Sequence, residues 1–337
     1  MSPKIIAIIG ATGNQGSSVA HTFLQSPNWT VRAVTRNPSS PKAQSFASLG
    51  AELVQADLRD IASLEAAFQG AHAIFVNTDF WGPYVSGTGG GTTHSSDDAF
   101  NEEVRHGKNA ALAASRVSTL ERYVYSALGP MKRASKGKYT QSYHWDSKAA
   151  IVEYIENEQR ELARKTSVIY VGAYATNPLF MPKLDPQSGV YKFVLNMDGG
   201  TKMPIIDTGS STGPFVKALI EVEAPGTKLL AYDSYLTIVE IVDAWAKATG
   251  REAELETVSA GEMNRRFGIP WEVLEAPGWI EEEGYMAGIE GWITPDELKV
   301  KPETKSFETW LRERDWKEIL DGGKGEMESI VGRSSTD

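Results

Sequence analysis

The chain has 337 residues, 41 % of them hydrophobic, and a formal net charge of −10. That length supports a full α/β core with a smaller second unit. Interspersed charges with no basic stripe exclude tracking of a nucleic-acid backbone, and the absence of cysteine excludes a disulfide framework or a thiolate metal site. No apolar run reaches the ~20 residues of a membrane helix. Met1-Ser-Pro-Lys4 leads straight into an apolar stretch, so no secretory leader is expected. A cytoplasmic protein without membrane contact or a metal site is the expectation.

Residues 5–9 are continuously apolar and read as a buried parallel strand. Glycines follow at positions 10, 13 and 16, then a helical pattern with Val19, Ala20, Phe23 and Leu24 on one face. Strand, glycine turn and helix form the context of a dinucleotide fingerprint, here spaced G-x-x-G-x-x-G. In that reading Gly10 makes the tight turn, Gly13 lets the backbone approach a pyrophosphate, and Gly16 lets helix pack on strand. Residues 29–34 are the second strand, ending at Thr35-Arg36-Asn37-Pro38. An acidic residue here would hold a bare ribose, whereas the Arg36 guanidinium suits a 2′-phosphate. Residues 41–49 form the next helix and 51–55 the third strand. It closes at Ala56-Asp57-Leu58, where Asp57 is either an acceptor for an adenine amine or a turn cap. Asp60 caps a helix over 61–68. Residues 73–76 are the fourth strand and lead to Asn77-Thr78. The regular alternation predicts a doubly wound parallel sheet.

The pattern then breaks. Residues 79–96 are glycine- and serine-rich yet carry Phe80, Trp81 and Tyr84. They leave the sheet's carboxyl edge, where open α/β sheets bind ligands, and read as a lid or binding loop. A helix over 98–115, a strand over 122–126 ending in Ser126, a basic loop over 129–141, a helix over 143–165 and a strand over 167–171 complete the first unit. Beyond it the text is irregular. Short strands (190–194, 203–206, 229–232, 254–258) mix with helices (213–223, 237–249), an acidic helical region bearing Trp271, Trp279 and Trp292, and a last helix pair with Trp310 and Trp316. The resulting division is a dinucleotide-binding domain over 1–172, a smaller mixed α/β substrate-side domain over 173–322, and a polar tail over 323–337.

The residues with chemistry to offer are Ser126, Tyr139, Tyr143, His144 and Lys148. His144 and Lys148 stand at i and i+4 and share one helix face. Tyr143 points about 100° away from His144. A strand-end serine with such a helical pair can bind a carbonyl oxygen and a nicotinamide ribose. A solvated polar helix face without chemistry is the alternative.

Taken together, Gly10-Ala-Thr-Gly-Asn-Gln-Gly16, Arg36, Tyr123-Val-Tyr-Ser126 and His144-Trp-Asp-Ser-Lys148 resemble the NmrA-like family, a branch of atypical short-chain dehydrogenases. Pro204-Ile-Ile-Asp207, Leu236-Thr-Ile-Val-Glu240 and Phe307-Glu-Thr-Trp-Leu311 are also similar. The resemblance spans roughly residues 3–320. It implies a Rossmann-type domain binding NADP(H) and a small C-terminal domain forming a cleft. Carried over residue by residue, cofactor contacts fall on Gly10, Thr12, Gly13, Asn14, Gln15, Gly16, Arg36, Asp57, Leu58, Asn77, Thr78, Lys148, Tyr174 and Asn177. Candidate catalytic residues are His144, Lys148, Ser126 and Tyr143. The family's dehydrogenase relatives use Tyr-x-x-x-Lys, and here the tyrosine position holds His144. Trp81, Tyr84, Tyr139 and Trp145 are the expected lining for a bulky apolar substrate. Two functions follow from the resemblance. One is an NADP(H)-dependent reductase or cofactor-assisted cyclase of fungal secondary metabolism acting on a small molecule. The other is an NADP(H)-sensing regulator with a protein partner.

Overall fold

The computed structural model describes residues 3–86 and 95–321. Most of the expected lid, residues 87–94, and the tail 323–337 lie outside these described residues. In the first unit the chain runs β1 (Lys4–Ile9), α1 (Asn14–Leu24), β2 (Trp29–Thr35), α2 (Pro41–Ser48), β3 (Glu52–Gln55), α3 (Ile61–Phe68) and β4 (Ala73–Val76). It continues through α4 (Trp81–Ser86), α5 (Ser96–Ser115), β5 (Arg122–Ala127), α6 (Met131–Ala134), α7 (Tyr143–Glu158), α8 (Arg160–Ala163) and β6 (Thr166–Val171). The second half holds β7 (Ala173–Tyr174), β8 (Lys183–Leu184), β9 (Tyr191–Leu195), β10 (Lys202–Ile206), α9 (Thr212–Glu221), β11 (Lys228–Ala231) and β12 (Ser234–Thr237). It closes with α10 (Ile238–Thr249), β13 (Ala253–Thr257), α11 (Ala260–Phe267), α12 (Trp271–Glu283), β14 (Trp292–Ile293), α13 (Phe307–Arg312) and α14 (Trp316–Asp321).

Eight parallel strands form the main sheet in the order β14-β11-β6-β5-β4-β1-β2-β3. Alternate residues of each strand feed opposite faces. Ala7 and Ile9 pack with Leu64, Phe68, Ala110 and Ile151 on the α3/α5/α7 side. Ile6 and Ile8 pack with Val19, Phe23, Phe215 and Leu219 on the α1/α9 side. Helices on both faces explain why β1 is apolar after its first residue, Lys4. The strand order reverses between β1 and β4, and at such a switch point the crevice at the carboxyl ends receives ligands.

The doubly wound sheet stands as expected, but the boundary at residue 172 does not divide the architecture. Helix α9 and strands β11 and β14, assigned by sequence to the second lobe, return to the main sheet, where β11 pairs with β6. An excursion through β7–β10 separates β6 from α9 and hides a simple continuation of the β-α-β alternation. The return is tightly fitted. A Cβ on Gly213 of α9 would lie 2.2 Å from Thr22 Oγ1 and 2.3 Å from the Ser18 carbonyl oxygen. The remainder of the second half forms two three-stranded sheets, β12-β10-β7 and β13-β9-β8. Trp245 is buried there among Tyr191, Phe193 and Trp316.

Three local readings change. Residues 81–86 are helical rather than loop, and α5 begins at Ser96, where the Ser95 hydroxyl accepts from Asp98 N. The basic loop contains the helical turn α6. The helix over 143–165 breaks at Gln159 into α7 and α8. Among the described residues no helix is long and apolar enough to cross a membrane.

Candidate active site

The glycine turn is built as its spacing requires. Gly10 has φ +72°, and its carbonyl accepts from Gly13 N at 2.8 Å. Gly13 caps α1 without a side-chain bond, so the first-turn N–H groups are left for another acceptor. Thr12 is half-buried and Asn14 exposed in the same turn. Gln15 is buried. Its Nε2 donates to the Tyr174 hydroxyl at 2.8 Å, while its Oε1 is buried without a partner. Asn77, half-buried, follows β4 beside the turn: a Cβ on Gly10 would lie 3.6 Å from its carbonyl oxygen.

Arg36 is exposed just past β2, and its guanidinium has no partner among the described residues. One oxygen of the Asp57 carboxylate accepts from Arg59 N at 2.9 Å, closing a turn. Leu58 is half-buried and its carbonyl accepts from Asn109. Asn177 caps a short 3₁₀ turn, accepting from Leu179 N at 3.0 Å.

His144 lies in the first turn of α7. Its backbone N–H and its ring Nδ1 both meet Glu272 Oε1, at 2.8 and 2.7 Å. Glu272 comes from the first turn of α12 and its side chain is 1 % exposed. Its second oxygen accepts from the Ser96 hydroxyl at 2.7 Å. The His144 ring stands 5.0 Å from Trp81 and 5.9 Å from Phe80, in the segment leaving β4. Nε2 has no hydrogen-bond partner among the described residues.

Tyr143 packs edge-on to Phe100, against the cluster of Phe80 and Tyr84, with the Asp97 carboxylate nearby. Burial first, and the negative charge of Asp97 next, push its phenol above the usual range. Ser126 is only 2 % exposed at the end of β5.

Lys148 differs from expectation. All three of its N–H donors are taken, by Thr78 O at 2.8 Å, Thr78 Oγ1 at 3.2 Å and Glu103 Oε1 at 2.7 Å. Glu103 is fully buried on α5 and also accepts from Thr78 Oγ1 and the Ser147 hydroxyl. The Tyr125 hydroxyl lies 3.0 Å from Thr78 Oγ1, and burial beside Glu103 holds its proton well above the usual tyrosine range. Lys148 and Thr78 therefore belong to a buried polar network and do not present free groups to a ribose.

The expected aromatic lining does not converge. Trp81 and Tyr84 of α4 join Phe80, just before it, in a small cluster beside His144. Trp145 is a core residue, 3 % exposed and edge-on to Trp279 and Tyr285. Tyr139 lies against Gly278 and borders a separate cavity of ≈ 480 Å³ with Trp271, Leu274 and Glu275. Glu272 itself does not line that cavity.

The model of the NmrA-like family matches residues 2–311. This chain belongs to the NmrA-like family. Among relatives, an NmrA-like family domain-containing oxidoreductase of Aspergillus hancockii, hkm9, is 29 % identical over 284 residues, 79 % of each chain. FrzB of Cladobotryum, also named an NmrA-like oxidoreductase, is 49 % identical over 88 residues, 26 % of each chain. A solved structure of NmrA, a negative transcriptional regulator, superposes with a TM-score of 0.73 at 22 % identity, covering 93 % of this chain and 95 % of that one. The leucoanthocyanidin reductase–NADPH complex of Vitis vinifera gives 0.66 at 18 %, covering 91 % and 98 %. At these identities the likeness to the solved structures is one of fold.

Within this NmrA-like site the acids escaped sequence reasoning. Glu272 sits in a run with Glu275, Glu281, Glu282 and Glu283, and nothing in the run marks it. Glu103 carried a signal. Together with Ala99, Gly107 and Ala110 it falls on the buried stripe of α5, where an unpaired charge is not tolerated.

Asp146, on the same turn as Lys148, gives a pH dependence. Burial pushes its carboxyl up to about 6, against a hydrogen bond from Lys132 N at 3.0 Å. The folded protein thus binds this proton more tightly than the unfolded chain, whose value is about 3.9. Its stability contribution is full below about pH 4 and is lost as pH rises through about 6. Asp146→Asn keeps an acceptor for Lys132 N and removes the penalty. The variant should exceed the wild type by on the order of 2 kcal/mol at about pH 8 and match it near pH 4, read by urea denaturation.

Proposed function

We propose that this NmrA-like protein is an NADP(H)-dependent reductase, acting in the fungal cytoplasm on the polar double bond of a bulky apolar small molecule, of the kind handled in secondary metabolism. The observation that carries the reading is the ring nitrogen Nε2 of His144, unpartnered among the described residues and set among Phe80 and Trp81 in the segment that follows β4. The oxidoreductase names of the fungal relatives and the NADPH complex of a neighbour of the same fold support it.

The residues present fit the cofactor. The open first turn of α1 accepts a pyrophosphate. Arg36, without a partner among the described residues, suits a 2′-phosphate, and Gln15 Oε1, likewise without one, can take a donor. When bound, a dihydronicotinamide supplies a hydride. His144 supplies the other half of the reduction. Protonated at Nε2, it gives that proton to the oxygen or nitrogen of the double bond while Nδ1 keeps its own on Glu272. Phe80 and Trp81 cover the ring and exclude water from that side.

Two expected results test this. NADPH should bind at least tenfold tighter than NADH, about 1.4 kcal/mol, and Arg36→Ala should erase most of that gap in calorimetric titration. His144→Ala should lower kcat for NADPH oxidation with carbonyl or imine substrates by about 10²-fold or more, with NADPH affinity kept. Equal affinity of the wild type for both cofactors defeats the first, and normal turnover by the variant defeats the second.

One observation favours a regulator. Lys148 is committed to Glu103 and Thr78, so the tyrosine–lysine pair of short-chain dehydrogenases is not assembled. If no substrate is turned over, yet NADPH and NADP⁺ differ in their effect on binding of a protein partner, the regulatory reading replaces the enzymatic one.

A further inference from the structure

We infer that Glu272 is a positioning residue, delivered by the second half of the chain, that fixes the proton on His144 Nδ1 and so leaves Nε2 as the reacting nitrogen. The inference rests on the reading of His144 as proton donor for its use in catalysis, but its geometry stands alone. An ionised carboxylate only accepts hydrogen bonds. With Glu272 Oε1 at 2.7 Å, Nδ1 must therefore be the protonated ring nitrogen. The same oxygen takes the backbone N–H of His144 at 2.8 Å, which pins the first turn of α7 to the carboxylate.

The other donors leave Glu272 no freedom. Ser96, the first residue of α5, donates to Oε2 at 2.7 Å, and the Ser142 hydroxyl donates to the Glu272 carbonyl at 3.0 Å. A carboxylate whose side chain is 1 % exposed loses its water and must be met by such donors. Three elements far apart in sequence thus converge on one side chain: the start of α5, the start of α7 and the start of α12. The N-cap of α7 has no side-chain bond of its own, so Glu272 also does the work of a cap. Capping alone, however, needs only the backbone bond. The bond to Nδ1 is the one that selects a tautomer, as a carboxylate or carbonyl hydrogen-bonded to the far nitrogen does for working histidines. In consequence the proton donor is complete only when α12 is docked against α7.

Nitrogen-15 NMR of the imidazoles in the cofactor-free, full-length protein tests this without any turnover. There are five histidines, and His144→Gln assigns the signal. At pH above the histidine titration, the wild type should show His144 as the Nδ1–H tautomer with a downfield, hydrogen-bonded Nδ1 proton. Glu272→Ala should release the ring to a mixture of both tautomers. Glu272→Gln, which keeps an acceptor of the same shape, should retain the tautomer but move that proton upfield, since the acceptor is no longer charged. Where a substrate is in hand, Glu272→Gln should lower kcat about tenfold with KM unchanged. A folded Glu272→Ala that keeps the wild-type tautomer overturns the inference. If Glu272→Ala does not fold, an unmoved Nδ1 proton in Glu272→Gln overturns it instead. Normal turnover by His144→Ala alongside the expected NMR changes would remove the proton-donor reading and leave Glu272 as the group that sets the tautomer.

Discussion

Lys148→Met is expected to cost about 3–5 kcal/mol of folding stability, the figure for stripping one partner from a buried ion pair. The residue left behind is Glu103, which is fully buried and whose charge the ammonium neutralises at 2.7 Å. Thr78 and Ser147 still donate to Glu103 in the variant, but neutral donors do not replace a charge. Adding Glu103→Gln removes the uncompensated carboxylate and keeps an acceptor for both hydroxyls, so the double variant should recover at least half of the loss. The measurement is a urea unfolding series on the four proteins of the cycle, with constant slope as the sign that only stability has changed. A single Lys148→Met variant as stable as the wild type would show that the pair carries no structural weight and would return Lys148 to the cofactor.

A single methyl at Gly16 should be nearly as damaging, and it should strike binding as well. A Cβ there lies 2.0 Å from the Gly10 carbonyl oxygen, 2.5 Å from its carbon and 2.9 Å from Ala11 N. These are backbone atoms of the turn itself, so no side chain can swing away. Gly16→Ala must either push α1 off β1 or deform the Gly10–Gly13 turn. We expect a loss of about 3 kcal/mol, at the upper end for overpacking, and a fall in NADPH affinity of tenfold or more. Gly13→Ala is the comparison. Its Cβ meets the same Gly10 oxygen at 3.2 Å, a contact relieved by a few tenths of an ångström. It should fold nearly as well as the wild type and show its effect in binding. Thermal unfolding and calorimetry on both variants separate the two. Wild-type NADPH affinity in Gly16→Ala would mean that the turn does not hold the cofactor.

The contrast between those glycines shows what sequence can and cannot convey. A continuous apolar run, three glycines at fixed spacing and an amphipathic helix announce a buried strand, a turn and a packing face, because all three are local. The same logic reads β1 through β6 correctly. It fails at α9 and β11, whose own patterns are ordinary. Only their partners, α1 and β6, reveal that they belong to the main sheet. It fails again at Lys148. One helical turn from His144, the lysine looked like half of a dehydrogenase pair. Its true partner stands 45 residues upstream on another helix. Glu103 was legible as a charge on a buried stripe. Glu272 was not, since five acids within twelve residues look alike until one of them meets His144. Trp145 misled for a related reason. Aromatic character marks a pocket wall and a core packing site equally, and Trp279 and Tyr285 decide for the core.

The return of α9, β11 and β14 to the main sheet sets a timetable for the protein's birth. As the chain leaves the ribosome, N-terminal parts are free to fold first. Here the first six strands emerge with the hydrogen-bonding groups along one side of β6 unmet and with the flank of α1 that receives α9, at Ser18 and Thr22, uncovered. That state lasts until residue 231 has been made, when α9 can cover α1 and β11 can pair with β6. β14, which pairs with β11, follows some sixty residues later at Trp292. An open strand edge of this kind is a template for wrong pairing. The nascent protein thus passes through a long window with that edge open, and a fragment ending at residue 172 is expected to fold less stably than the whole chain.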